Sequence, residues 1–217
     1  MNSYVNELEK VFIEVECDDM ADSPREWSNL WQLFTFERGY NSPDKHDYHN
    51  LDELLYDYLD NDEAINRIEA NSHNANDHFS AMAEEFNKIG YFIAPINRYE
   101  HGSVRYSRSL TSGWDYGIVG VAIVSHSDVI KEYGSLDQFK ALNVLDGELK
   151  NYTDWANGEV YKLSVVSFDG DYLDSLSGMF GYESYEAMVK EFIDGCTPYD
   201  SKDFELKILR TKTTYYV

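Results

Sequence analysis

An α+β fold with a mainly antiparallel sheet and several amphipathic helices packed on it is the architecture this sequence predicts. Three observations carry it. Short apolar runs alternate with period two at Val11–Cys17 and 158–168, and stripes with helical period run through Leu51–Leu59, 75–89 and 183–193. Strands and helices also follow one another without a repeating βαβ beat. No internal repeat, low-complexity linker or coiled-coil heptad run interrupts the 217 residues. The chain is therefore read as a single domain, 1–217, with an acidic helical insertion at about 44–89.

In VFIEVEC, Val11, Ile13, Val15 and Cys17 share one face against Phe12, Glu14 and Glu16. This is a strand with one wet side, and it turns the Cys17 thiol inward. Ser23-Pro24-Arg25-Glu26 has the form of a capping box, with Pro24 at N1, where its missing N–H costs nothing, and Glu26 reaching back from N3. A short helix is expected there, with Trp27, Leu30 and Trp31 on its inner face; residues 33–36 either extend it or start a strand. The turn-rich segment 41–50 leads into Leu51–Leu59, whose apolar stripe is Leu51, Leu54, Leu55, Tyr58 and Leu59. Opposite stand Glu53, Asp57 and Asp60 at i, i+4 and i+7, followed by Asp62 and Glu63. Like charges at such spacings repel by about 0.2–0.5 kcal/mol per pair. Residues 64–70 and 75–89 continue helical.

Residues 91–96, YFIAPI, form a short strand in which Pro95 suits an edge or an end. It feeds the stretch 99–125, around which the chain is organised. There Val104 and Tyr106 share one side of a first run, and 117–124 is an almost unbroken apolar run, as a buried strand requires. Gly113-Trp114-Asp115-Tyr116-Gly117 reads as the turn of a hairpin between them, with Trp114 anchored in the core, and His101-Gly102 as a second turn. Ser125 and Ser127 are candidate caps of a helix stopped by Gly134. Residues 136–157 are helical, with a break at Gly147 left open. A strand at 158–168 turns at Asp169-Gly170 into 172–176, and a helix at 183–193 precedes a last strand at 204–217.

Charge departs furthest from an ordinary domain: 40 acids against 18 bases give a net of −22. Residues 1–100 hold 22 of those acids and 7 of the bases, so the excess sits mostly in the first half. Direct nucleic-acid contact and anionic membranes are thereby disfavoured, and a cationic protein surface is favoured. No apolar run approaches the length of a membrane span, and the acids among the first twenty residues exclude a signal peptide. Two distant cysteines, Cys17 and Cys196, suit reduced thiols in a cytosol. The 18 tyrosines leave room for an aromatic homodimer interface.

Chemistry-bearing groups are sparse. His46-x-x-His49 with Asp44 and Asp47 offers metal-ligand types without an HExxH or Cys-pair context, and His73 and His78 offer no more. His101 and Asp115 are the pair that a hairpin could bring together for acid–base work, although both also suit turns. No glycine pattern cradles a phosphate, and no basic groove with interleaved aromatics is present. Neither a catalytic group, a cofactor nor a metal is expected.

His101-Gly102, Trp114-Asp115-x-Gly117-x-Val119-Gly120 and Val124-Ser125 leading to Lys131-Glu132-Tyr133-Gly134 form an ordered series of motifs. It continues upstream in Asp22-Ser23-Pro24-Arg25-Glu26-Trp27 with Asn29-Leu30, and downstream in Gly147-Glu148-x-x-x-Tyr152, Gly158-Glu159-Val160-Tyr161 and Gly178-x-Phe180-Gly181. The series resembles a family of uncharacterised proteins of phages, plasmids and integrative elements of Gram-positive bacteria. It departs from that pattern at Ser28, where the family has Asp, near Trp31, where it has Gly, and at Leu176-Ser177, where it has Cys-Trp. The resemblance implies a mobile-element accessory protein in the host cytoplasm and no particular chemistry.

Three functions fit. The first is an inhibitor that presents an acidic, nucleic-acid-like surface to a host defence nuclease of the restriction or CRISPR type, with Glu53, Asp57, Asp60, Asp62 and Glu63 as the contacting residues. Twenty-two charges at the spacing of duplex DNA, about 1.7 Å per charge, correspond to roughly 37 Å of duplex. The second is a small ligand-binding module or enzyme using His101 and Trp114-Asp115, and the third a protein-binding adaptor.

Overall fold

The computed structural model describes residues 2–111, 113–182 and 184–208, and these form six helices and two antiparallel sheets. The α+β expectation holds, with two sheets in place of one. The chain divides into two compact units, residues 1–22 with 158–217, and residues 23–157.

The first unit is built on a five-stranded sheet. Its strands are β1 (Asn2–Asn6), β2 (Val11–Cys17), β7 (Tyr161–Ser167), β8 (Tyr172–Met179) and β9 (Glu205–Ile208), in the order β8-β7-β2-β1-β9. The helix α6 (Tyr185–Cys196) lays Met188, Val189, Phe192 and Ile193 against Val11, Ile13, Leu163 and Val165. The alternation of β2 is as expected, but its burial fades along the strand: Val11 and Ile13 are buried, Val15 is half-buried, and Cys17 is exposed. Cys17 is thus not a core thiol. Gly170, at a left-handed φ of 96°, makes the expected turn between β7 and β8. Of the final strand expected at 204–217, Glu205–Ile208 pairs with β1, and residues 209–217 lie outside the described residues.

The second unit is three layers around a four-stranded sheet, order β3-β6-β4-β5, of β3 (Gln32–Thr35), β4 (Tyr91–Glu100), β5 (Val104–Ser107) and β6 (Tyr116–Ser125). On one face pack α1 (Leu51–Leu59), α2 (Asp62–Ala70) and α3 (Ala75–Lys88), through Leu54, Leu55, Ile68, Met82 and Phe86 against Phe34, Ile93, Val121 and Ile123. On the other pack α4 (His126–Tyr133) and α5 (Gln138–Ala156), through Val129, Ala141, Leu145 and Leu149 against Leu33, Phe92, Ala122 and Val124. Covered on both faces from Gly120 to Val124, β6 must be apolar at consecutive positions there, which explains that part of the run; Gly117 and Ile118 before it are exposed. Gly120 has its own reason: a Cβ there would stand 1.8 Å from the Phe34 carbonyl oxygen, so only glycine lets β3 approach.

The organising hairpin is corrected. β5 and β6 do not pair; β4 lies between them, bonded to β6 along Tyr91–Tyr99 and to β5 only from Asn97 onward. Pro95 therefore occupies the part of β4 that has no β5 neighbour. Between β5 and β6, Leu110 packs against the core under α1–α3 and the Thr111 carbonyl accepts from Asn97 of β4, while Trp114 is fully exposed. His101-Gly102 does form the β4–β5 turn, with Gly102 at φ 78°. The outer edge of β5 is closed by side chains of α5 and of its C-cap: Val104 N–H donates to Asn157 Oδ1 at 2.9 Å, and Tyr106 N–H to Thr153 Oγ1 at 3.0 Å. Gly147 does not interrupt α5, Ser125 caps α4, and Gly134 ends it at φ 71°. The helix expected after Ser23 is a single 3₁₀ turn, Pro24–Glu26, in which Ser23 Oγ accepts from Arg25 N–H, and β3 starts soon after. Of its expected inner face, Trp31 is buried and Trp27 is half exposed.

Candidate functional site

The five acids singled out from the sequence lie on two helices rather than one. Asp60 ends α1 in the left-handed region at φ 42°, a conformation Asp tolerates better than most residues, and Asn61 starts α2 by accepting from the N–H groups of Glu63 and Ala64. The i, i+4, i+7 ladder stops at that corner. Glu53 and Asp57 stay together on α1, while Asp62 and Glu63 occupy the first turn of α2, where the helix dipole favours negative charge. All five are exposed.

Several have local bonds. Glu53 Oε2 accepts from the His49 backbone N–H at 2.6 Å and faces His49 Nδ1 at 3.0 Å; the backbone bond, then the side-chain bond, lowers its pKa. Asp57 accepts from the Tyr48 hydroxyl at 2.6 Å, and that bond is the main reason the phenol is pushed up to about 12. Residues 51–88 carry ten acids and two bases, Arg67 and Lys88. Both bases reach Glu85, at 2.9 and 2.7 Å, and their hydrogen bonds bring that buried carboxyl down to about 2. Asp52, Glu53, Asp57, Asp60, Asp62, Glu63, Glu69 and Glu84 are left as an exposed acidic layer.

A second constellation has no assigned role in the sequence reading. Arg25, with its side chain only 4% exposed, donates from Nε and Nη2 to Asp44 at 2.9 and 2.6 Å, from Nη1 to Glu148 at 2.9 Å, and from Nη2 to the Trp31 carbonyl. Glu148 Oε1 in turn accepts from Leu30 N–H at 2.7 Å, and Asp44 Oδ2 from Leu33 N–H at 2.6 Å. Burial works against the Arg25 charge, but bonding to Asp44 and Glu148 outweighs it and raises the guanidinium pKa. Burial pushes Glu148 up, and Arg25 with the Leu30 and Trp31 amides offsets only part of this. The network pins residues 25–33 to α5. Its signal was present in the sequence as Ser23-Pro24-Arg25-Glu26-Trp27 and Gly147-Glu148, two motifs that fold together.

The network borders two clefts within the second unit. One, about 1,090 Å³, has Arg25, Asp44, His46 and Tyr152 in its wall. The other, about 840 Å³, is bounded by Trp27, Tyr58, Tyr91, Tyr133 and Glu148. His101 and Asp115 border neither. Their side chains are 3.7 Å apart, too long for a hydrogen bond, and His101 is largely open to solvent with Asp115 half-buried, so the pair lacks the enclosure that acid–base chemistry uses. Among the described residues no three His, Cys, Asp or Glu side chains gather as metal ligands. His46 instead packs between Phe34 and Phe36 and bonds the Thr35 carbonyl through Nε2 at 3.2 Å. No described helix is long and apolar enough to cross a membrane.

No family model, curated protein or solved structure matches this chain.

Proposed function

We propose that the protein acts by binding rather than by chemistry, presenting the acidic layer of α1–α3 to a positively charged cleft of another protein. The observation that carries this reading is the charge balance of residues 51–88, where ten acids stand against Arg67 and Lys88, both held at buried Glu85, so that eight of the acids are exposed on a layer of net charge −8. The resemblance to phage and plasmid proteins supplies the target class: a host defence nuclease, whose nucleic-acid channel is such a cleft. Like-charge crowding costs a few tenths of a kcal/mol per helical pair, about 0.2–0.5, which a functional surface can carry.

The test expresses the protein in bacteria with an active restriction or CRISPR system and scores survival of an incoming plasmid. Its comparison is a variant carrying Glu53→Gln, Asp57→Asn, Asp60→Asn, Asp62→Asn and Glu63→Gln. Amides keep the acceptors that His49 and Tyr48 use, and Asn tolerates the left-handed φ at residue 60, so charge alone is removed. Survival should rise with the wild type and return to the vector level with the variant, circular dichroism being unchanged. Protection should also weaken with ionic strength when reconstituted in vitro, because exposed charges are screened beyond about 8 Å at physiological salt. Full potency in the variant would remove this layer from the interface.

A further inference from the structure

The 840 Å³ cleft falls in the range of about 300–1,000 Å³ typical of specific ligand sites, and far exceeds the room a single side chain needs. Segments distant in sequence converge on it: Trp27 and Asn29 after the 3₁₀ turn, Tyr58 from α1, Tyr91 from β4, Lys131 to Tyr133 from α4, and Glu148 from α5. Its aromatic side is held firmly. Tyr58 stacks on buried Phe86 at 5.6 Å and meets Tyr91 edge-on at 5.3 Å, while Trp27 keeps half its surface in solvent.

Its polar side comes from α4, where Asp128, Lys131 and Glu132 stand at i, i+3 and i+4 and so share a face. Asp128 already accepts from the Ser125 hydroxyl. Glu132 and Lys131 have no ion-pair partner among the described residues, whereas Glu148 is already bonded to Arg25, which it shares with Asp44. The groups left for a ligand are thus two carboxylates, one ammonium and the amide of Asn151. The local balance is negative, within a protein of net charge −22. Anionic ligands are repelled from such a place and cations drawn to it.

We propose that this cleft holds an arginine-bearing peptide segment of a protein partner. A guanidinium is the cation that uses both sides at once, lying flat on aromatic faces and forking its N–H groups to carboxylates. Lys131 and Asn151 then serve the peptide backbone, whose carbonyls accept from both. This rests on the reading that the partner is a cationic protein. α1 contributes Tyr58 to the cleft and Glu53 and Asp57 to the acidic layer, so one partner can engage both.

The experiment measures fluorescence anisotropy of a labelled octapeptide with two arginines among glycine and serine, against its citrulline counterpart, which keeps the shape and loses the charge. At physiological ionic strength the arginine peptide should bind and the citrulline peptide should bind about tenfold more weakly, with Trp27→Leu and Glu132→Gln each costing about three- to tenfold. Glu132→Gln lies on an exposed helix face, so its effect cannot be a folding defect. The five-amide α1–α2 variant should keep binding within about twofold, its acids lying outside the cleft. Equal binding of the two peptides, no binding of either, or indifference to Trp27→Leu and Glu132→Gln overturns the assignment. Capture of a neutral trisaccharide in their place also overturns it, in favour of a sugar ligand. Peptide binding lost in the five-amide variant and kept in the cleft variants overturns the cleft alone and leaves the acidic-layer reading standing; the reverse pattern with no protection in cells sinks that reading and leaves the cleft.

Discussion

Replacing Arg25 with Met keeps an unbranched side chain in place and removes the cation from the network at the heart of the second unit. What remains is Glu148, 9% exposed, and Asp44, 22% exposed, facing each other across a vacated guanidinium site, with the Trp31 carbonyl losing a donor. Breaking a buried ion pair by deleting one partner costs about 3–5 kcal/mol, because the surviving charge has neither water nor counter-ion. The assay is a urea titration followed by tryptophan fluorescence, which reads this unit alone: Trp27, Trp31, Trp114 and Trp155 all lie within residues 23–157. Acid supplies the check on cause. Burial already raises the Glu148 pKa in the native protein, and without Arg25 it rises further. A carboxyl with a raised folded pKa binds its proton more tightly when folded, so its penalty vanishes below the unfolded value of about 4.3 and is complete only above the folded one. The deficit of Arg25→Met should therefore be full at pH 7 and shrink as the pH falls through that window. Adding Glu148→Gln should recover part of it at pH 7 and flatten its pH dependence. A loss under about 1 kcal/mol at pH 7, or a deficit unchanged by acid and by Glu148→Gln, would refute a buried charge network as the source of stability.

Gly120→Ala should destabilise the same unit by about 3 kcal/mol or abolish soluble expression, since the new methyl meets the Phe34 backbone, which cannot step aside without breaking β3 from β6; a near-neutral result in the urea titration would mean β3 has room to shift. Trp114→Ala should change stability by less than about 0.5 kcal/mol, its indole being wholly in solvent; a loss above about 1 kcal/mol would place the indole in a packed site.

Local chemistry was read well wherever the chain decides its own structure. The stripe of Leu51–Leu59 and the alternation of Val11–Cys17 give α1 and β2 with their observed limits, and Ser125 with Gly134 brackets α4 as their capping preferences require. What failed depends on partners distant in sequence. The runs at 104–107 and 116–125 look like adjacent hairpin strands because they follow one another, but β4 competes for the side of β6 and wins along nine register pairs. With the pairing goes Trp114: a turn above a two-stranded core would bury it, and the link from β5 to β6 leaves it exposed. Cys17 misled for a related reason, since period two sets which face a residue takes and not how far along the strand a covering helix reaches.

The candidate sites separate along the same line. Glu53, Asp57, Asp60, Asp62 and Glu63 were visible because charge needs no partner to be noticed, yet much of their placement has a local cause: Glu53 bonds the loop before α1, Asp60 turns the corner, and Asp62 and Glu63 sit where a helix start favours acids. Such causes account for where these acids stand, not for the scarcity of bases around them. A helix start prefers acids without forbidding lysine on the opposite flank, and only Arg67 and Lys88 break ten acids across residues 51–88, both drawn to Glu85. The cleft shows the converse. Trp27, Tyr133 and Glu148 carry no chemical signal separately, and Arg25 reads as one more residue of a helix start. Its partners lie 19 and 123 positions away at Asp44 and Glu148, so the arginine that holds the wall of the cleft becomes visible only when the chain has brought those carboxylates to it.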